Sequence, residues 1–181
     1  MSSAVKILPH YTYEDWIRWE GQWELIEGIP YAMSPAPVPA HQNIAGNIFS
    51  EFKAALKKSG CKCKAYMPID YVIAEDAIVQ PDVLIVCGEI KKKFLDFPPS
   101  LVTEILSPGT ALKDRNNKFT LYEAQKIPYY IIVDIDKKEI EIYTPGSEGK
   151  YTPEKFSPHS PYRFQLTADY FIEVVLNNIW E

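Results

Sequence analysis

Gln80-Pro81-Asp82-Val83-Leu84-Ile85-Val86, followed by Leu101-Val102-Thr103-Glu104-Ile105-Leu106, is the stretch on which the fold turns. Val83 to Val86 is apolar on both faces of a strand, the pattern of a strand in the middle of a covered sheet. Glu104 interrupts the second run and shares a face with Val102 and Leu106 by the two-residue period. Asp82 stands at the entrance to the first run, directly after Pro81. A carboxylate held among apolar side chains must pair, protonate or bind a cation. If the two strands are neighbours, both acids converge on one hard cation such as Mg²⁺. Each also has an ordinary structural reading: Asp82 caps a strand start, and Glu104 pairs with a lysine.

Upstream, two further elements frame these strands. The spacing predicts strands over Lys64 to Ile73 and over Ala77 to Cys87, the latter containing the apolar run. Before them, Ile44, Ile48, Phe52 and Leu56 recur every four residues, which predicts an amphipathic helix from about Pro39 to Ser59, stopped by Gly60. Ser34-Pro35-Ala36-Pro37-Val38-Pro39 suits only an extended connector. Trp23 to Ile26 and Ile29 to Met33 read as a hairpin with Gly28 in its turn. Thr12 caps a short helix that runs through Trp16, Ile17 and Trp19, with Asp15 in the capping-box position.

Downstream, Ser107-Pro108-Gly109-Thr110 breaks the chain and a helix is predicted from about Ala111 to Gln125. Tyr129 to Val133 reads as a buried strand, Ile140 to Tyr143 as an outer antiparallel one, and Thr167 to Trp180 as a terminal helix. The order helix, three strands, helix, strand (αβββαβ) is an α/β, or α+β, arrangement. It implies a mixed central sheet with helices on both faces, plus the N-terminal hairpin. On the second helix Asp114, Lys118 and Tyr122 share one face at four-residue intervals. The short loop brings that helix back near the Glu104 end of its strand. A lysine there could steady an attacking water or the charge developing on a phosphate, although an exposed Asp114–Lys118 surface pair is the simpler reading.

The 181 residues suit one domain, with 46% hydrophobic and 24% charged residues. No run reaches the roughly 18 apolar residues of a membrane span, and the start shows no secretory pattern, so a cytoplasmic protein without a membrane partner is expected. Three cysteines, an odd number, argue against a disulfide framework and fit a reducing compartment. Cys61-Lys62-Cys63 hints at a metal, but a structural zinc site wants four ligands. Cys87, His10, His41 and His159 are scattered along the chain, so idle thiols are the better reading. The net charge of −5 weighs against tight gripping of phosphates. Lys91-Lys92-Lys93 reads as a solvated loop.

One resemblance joins these pieces. Trp23-Glu24-Leu25-Ile26-Glu27-Gly28, Met33-Ser34-Pro35-Ala36-Pro37, His41-Gln42, Gln80-Pro81-Asp82-Val83, Leu101 to Pro108, Asp114-Arg115 through Lys118 to Tyr122, and Ile127 to Asp134 occur in that order. The set resembles the Uma2 (DUF820) family, within the PD-(D/E)XK nuclease superfamily, over nearly the whole chain from about Tyr11 to Tyr170. The resemblance implies a restriction endonuclease-like core with Asp82 and Glu104 as metal-binding acids. The usual superfamily motif would put lysine at position 106, where Leu106 stands. The family instead carries its lysine on the following helix, which Lys118 matches. The resemblance also turns Glu24 toward the same cleft as a further metal ligand, against the plain alternative of an exposed strand glutamate.

The function that follows is metal-assisted hydrolysis of DNA by an endonuclease, with Mg²⁺ or Mn²⁺ held by Asp82, Glu104, the Ile105 carbonyl and Glu24. Lys118 then acts on the water or the phosphate, in a common pocket open to solvent. His41, in the first turn of the long helix, could orient a phosphate or a water, and Tyr122 lies on the Lys118 face. The aromatic N-terminal segment offers surface for a homodimer, although packing against the core is its nearer role. The main alternative is a non-catalytic module that keeps this fold to bind nucleic acid or protein; a structural zinc protein is a third.

Overall fold

The computed structural model describes residues 9–33, 38–107 and 114–181. Most of the expected connector after Met33, the break after Ser107 and the start of the helix that follows lie outside these residues.

Tyr13–Trp16 (α1) is the short capped helix, which stops before Ile17 and Trp19 instead of running through them, and Asp15 accepts a hydrogen bond from the Thr12 backbone N–H at 2.9 Å. Trp23–Ile26 (β1) and Ile29–Ala32 (β2) form the predicted hairpin. Its turn residues Glu27 and Gly28 have φ of 52° and 72°. Positive φ at both positions gives a turn whose twist matches the flanking strands. The long helix spans Pro39–Ser59 (α2), with proline in its first turn and Gly60 left-handed at its end. Its predicted stripe, Ile44, Ile48, Phe52 and Leu56, is buried.

Two predicted strands each prove to be two. Lys64–Tyr66 (β3) and Tyr71–Ala74 (β4) replace the first, and Ala77–Val79 (β5) and Val83–Val86 (β6) replace the second. Pro68 and Pro81 fall in the gaps. Proline donates nothing to a strand ladder, and at each gap the chain passes from one sheet to another. Leu101–Leu106 (β7) is as predicted. Asp114–Lys118 is a π-helical turn that runs directly into Phe119–Ala124 (α3). Tyr130–Asp134 (β8), Glu139–Pro145 (β9) and Tyr151–Pro153 (β10) complete the main sheet.

That sheet has the order β10-β9-β8-β7-β6-β3 and is mixed, with β7 and β8 parallel and the other pairs antiparallel. A second sheet, β2-β1-β5-β4, is antiparallel throughout. The succession α2, β3, β6, β7, α3, β8 is the αβββαβ core, into which β4 and β5 are inserted. One face of the main sheet presents Val83, Ile85, Ile105 and Val133 to the apolar stripe of α2. The other presents Leu84, Val102, Tyr130 and Ile132 to Tyr122 of α3 and to Ile26 and Val79 of the second sheet. Helices therefore cover both faces. Their burial is the main driving force for the layers, at roughly 25 cal/mol per Å² of apolar surface removed from water.

Two expectations are overturned. The predicted terminal helix is instead a hairpin, Pro161–Gln165 (β11) and Phe171–Val175 (β12), followed by a 3₁₀ turn over Leu176–Trp180. Ile172 and Val174 are buried while Phe171 and Glu173 are exposed, a two-residue alternation that suits β-branched side chains. Thr167 caps only a turn, accepting from the Tyr170 N–H at 3.1 Å. The cysteines are not idle thiols either. Lys64 pairs with Val86 across β3 and β6, so Cys63 and Cys87 face each other one residue further out, and they form a disulfide.

Candidate active site

Strand register brings the two acids of the central strands together. Val83 pairs with Thr103, and extending that antiparallel register by one residue sets Asp82 opposite Glu104. Asp82 Oδ2 accepts a hydrogen bond from the Ile105 N–H at 2.8 Å, which ties the end of one strand to the next. Glu24 arrives from β1. Its neighbour Leu25 pairs with Ile78 of β5, and Glu24 Oε1 accepts from the Gln80 N–H at 2.8 Å.

Lys118 closes the group. Its Nζ lies 2.7 Å from Glu24 Oε1, 2.9 Å from Glu104 Oε1 and 3.6 Å from Asp114 Oδ1. The simple alternatives of an exposed helical lysine and an exposed strand glutamate do not hold, because Lys118 is 2% exposed and Glu24 0%. Tyr122, one turn further along, donates its hydroxyl to the same Glu104 Oε1 at 2.7 Å. The π turn ends on Lys118, and such turns occur often at functional sites.

His41 occupies a particular place. Its Nε2 is 3.1 Å from the Ile105 carbonyl oxygen and 3.3 Å from Asp82 Oδ2. Both partners are acceptors, so this nitrogen carries the proton. One N–H reaches both oxygens, which therefore converge on a single point.

The electrostatics follow from burial and mutual contact. Burial pushes the Glu104 carboxyl well above the usual range, the Lys118 ammonium opposes this, and the charges of Asp114, Asp82 and Glu24 add to it. Burial alone would lower the Lys118 pKa, but Glu104, Glu24 and Asp114 hold it well above its ordinary value, so the amine stays charged. Burial and the Glu104 carboxylate likewise raise the Tyr122 phenol, which keeps it a hydrogen-bond donor. At His41 burial works downward, yet contact with Asp82 leaves the imidazole above its ordinary value.

All six residues singled out from the sequence, together with Ile105, thus belong to one cluster, but not to a pocket open to solvent. Glu24, Glu104, Asp114 and Lys118 are buried, and solvent reaches the group through Asp82 and His41, whose side chains are 19% and 11% exposed. The burial comes from the second sheet and α3 covering this face. Sequence reasoning missed two supports. Tyr130 donates to the Asp114 carbonyl at 2.9 Å, and Arg115 pairs with Glu141 at 2.6 Å, fastening the π turn to β8 and β9. Only the adjacency of Arg115 to Asp114 could have pointed to the second.

Comparison with known proteins agrees with this architecture. Residues 11–167 match the Uma2 family, described as "Putative restriction endonuclease". A curated relative from Synechocystis, the uncharacterized protein slr1290, is 28% identical over 151 residues, covering 79% of this chain and 78% of its own. Among solved structures, a protein from Anabaena variabilis, described as a putative nuclease belonging to DUF820, superposes with a TM-score of 0.73. It is 17% identical, and the match covers 93% of this chain and 98% of that one. At that identity the likeness establishes the fold.

Proposed function

This chain belongs to the Uma2 family, and from that premise we propose that it is an endonuclease that hydrolyses phosphodiester bonds in DNA with the help of Mg²⁺ or Mn²⁺. The observation that carries the reading is the reach of Lys118. An ammonium from the helix after β7 meets Glu104 of β7 and Glu24 of β1, while Asp82 is bonded to the residue after Glu104.

The residues present fit a hard cation. The carboxylates of Asp82, Glu104 and Glu24 and the Ile105 carbonyl are all oxygen donors, the set that Mg²⁺ and Mn²⁺ prefer. Asp82 Oδ2 and the Ile105 oxygen already converge on the His41 N–H, which would have to yield to such an ion. When bound, the ion supplies an acidified water and offsets charge on the scissile phosphate. The chain's own groups do the rest. Lys118, kept charged by its three carboxylate neighbours, offers positive charge close to the phosphate oxygens as negative charge develops on them. Tyr122 fixes one oxygen of Glu104 and so sets the direction of the other. Until an ion enters, His41 holds the Ile105 carbonyl and Asp82 in register with each other. We place the protein in the cytoplasm as a homodimer; no helix among the described residues is long and apolar enough to cross a membrane.

The test is a cleavage assay on duplex DNA, single-stranded DNA and RNA with Mg²⁺ and with Mn²⁺, run beside the Glu104→Ala protein. Metal-dependent cutting of DNA by the wild type alone is expected; equal activity in both proteins would refute the assignment. A second reading, a non-catalytic module that keeps the fold, draws on the burial of Glu24, Glu104 and Lys118 and on the net charge of −5. Calorimetric titration with the two metals separates the readings, because only the nuclease needs the carboxylates to bind them.

A further inference from the structure

On the other face of the main sheet, at the end of β3 and β6, the Sγ atoms of Cys61, Cys63 and Cys87 all lie within 4.8 Å of one another. We propose that, once the Cys63–Cys87 disulfide is reduced, these three sulfurs form a binding site for a thiophilic d¹⁰ cation of the Zn²⁺ and Cd²⁺ class.

Three features carry this beyond proximity. Cys63 and Cys87 are held opposite each other by the antiparallel register of β3 and β6, so their sulfurs stay together whether or not they are bonded. Cys61 Sγ is 2.9 Å from Cys63 Sγ. The Cys63 backbone N–H donates to Cys61 Sγ at 3.3 Å, which holds that sulfur over the other two. Cys63 is buried while Cys61 and Cys87 are half-buried, which leaves the cluster reachable from solvent. No His, Asp or Glu joins the trio among the described residues, so the ligand set is all sulfur and selects soft metals over Mg²⁺. With three protein ligands one tetrahedral position stays open, unlike the closed four-ligand site of a structural zinc.

The chemistry balances with a phosphine as reductant. The phosphine and one water convert the disulfide to two thiols and a phosphine oxide. Binding of the divalent ion then exchanges three thiol protons for one metal, and these protons are released to solvent.

The whole 181-residue chain is reduced with phosphine, freed of it without air, and titrated with Cd²⁺ while the ultraviolet sulfur-to-cadmium charge-transfer band is followed. That band reports sulfur ligation alone, so Cd²⁺ held by the carboxylates of the candidate active site does not contribute. One equivalent should saturate the band in reduced wild type, and the unreduced protein should show none. Zn²⁺ added afterwards should compete for the same sulfurs. Cys61→Ser leaves the disulfide pair and both strands intact, so it should still fold. It should weaken binding by about 100-fold or more, at or beyond the upper end of the roughly 10–100-fold cost of losing an outer-shell partner. No band in the reduced wild type, a band of equal size without reduction, or unchanged affinity in Cys61→Ser would each overturn the proposal.

Discussion

Lys118 Nζ sits 2.9 Å from Glu104 Oε1 inside the protein, and each side chain is what makes the other's burial tolerable. The Lys118→Ala protein would leave Glu104, Glu24 and Asp114 without that ammonium, a loss that costs roughly 3–5 kcal/mol for a buried pair. The cost depends on pH. Glu104 is an acid whose folded-state pKa is raised, so its contribution is fully present at low pH and is lost as pH rises through that value. Without Lys118 to oppose burial the value climbs further. The stability gap between variant and wild type, read from urea unfolding, should therefore be larger at pH 8 than at pH 5. In cleavage, turnover should fall by about 10²–10³ with little change in KM. A loss confined to KM would reduce Lys118 to a binding contact.

Asp82 separates charge from hydrogen bonding. Its Oδ2 accepts the Ile105 N–H, which an asparagine oxygen also does. Asp82→Asn should fold with near wild-type stability yet lose cleavage and Mn²⁺ binding. Asp82→Ala should lose the same functions and also about 1–3 kcal/mol of stability, because the N–H then lacks its acceptor. Cleavage by Asp82→Asn at the wild-type rate would remove Asp82 from the metal site.

How much of this was legible depends on which interactions wrote each feature into the chain. The long helix was readable to its ends, because Ile44, Ile48, Phe52 and Leu56 keep one period and Gly60 terminates it. The acids were readable because Glu104 interrupts one apolar run and Asp82 stands at the entrance to another. The breaks at Pro68 and Pro81 were present in the sequence but were read through, since the apolar pattern continues on both sides. In the last segment Tyr170, Phe171, Val174 and Val175 imitate a helical stripe; the β-branched Ile172 and Val174, two apart, were the truer signal. The Cys63–Cys87 pairing and the closure of the site by the second sheet depend on which strands become neighbours, and no local pattern records that.

Arg115 and Glu141 predict an acid limit to stability. Burial would raise the Glu141 carboxyl, but hydrogen bonds from Arg115 and Tyr143 hold it below its ordinary value. Burial, and after it the hydrogen bond to Glu141, pushes the Tyr143 phenol up to about 12, so it remains a donor at neutral and moderately alkaline pH. An acid with a lowered folded-state pKa contributes stability above its unfolded value and loses it as pH falls through the folded one. Thermal unfolding of Glu141→Gln should therefore start at a lower Tm than wild type at pH 7, and the two should converge as pH falls below about 4. Parallel curves down to pH 3 would show that the pair does not matter to the fold.

His41 makes the sharpest statement about the metal. Its Nε2–H lies within 3.1 Å of the Ile105 carbonyl oxygen and 3.3 Å of Asp82 Oδ2, two of the four proposed ligands. A hydrogen bond and a cation compete for the same oxygen lone pairs, so the imidazole is a resident that an entering ion must displace. Removing it should tighten metal binding. For His41→Ala, calorimetry should give Mn²⁺ affinity higher by on the order of tenfold, or about 1.4 kcal/mol. Turnover at saturating Mn²⁺ should be little changed, because the bound ion has already displaced the imidazole from both oxygens. Tighter metal binding with turnover kept is a combination that a general loosening of the site could not produce. Weaker metal binding in His41→Ala would instead mean that the imidazole supports the site, and the displacement argument would fail.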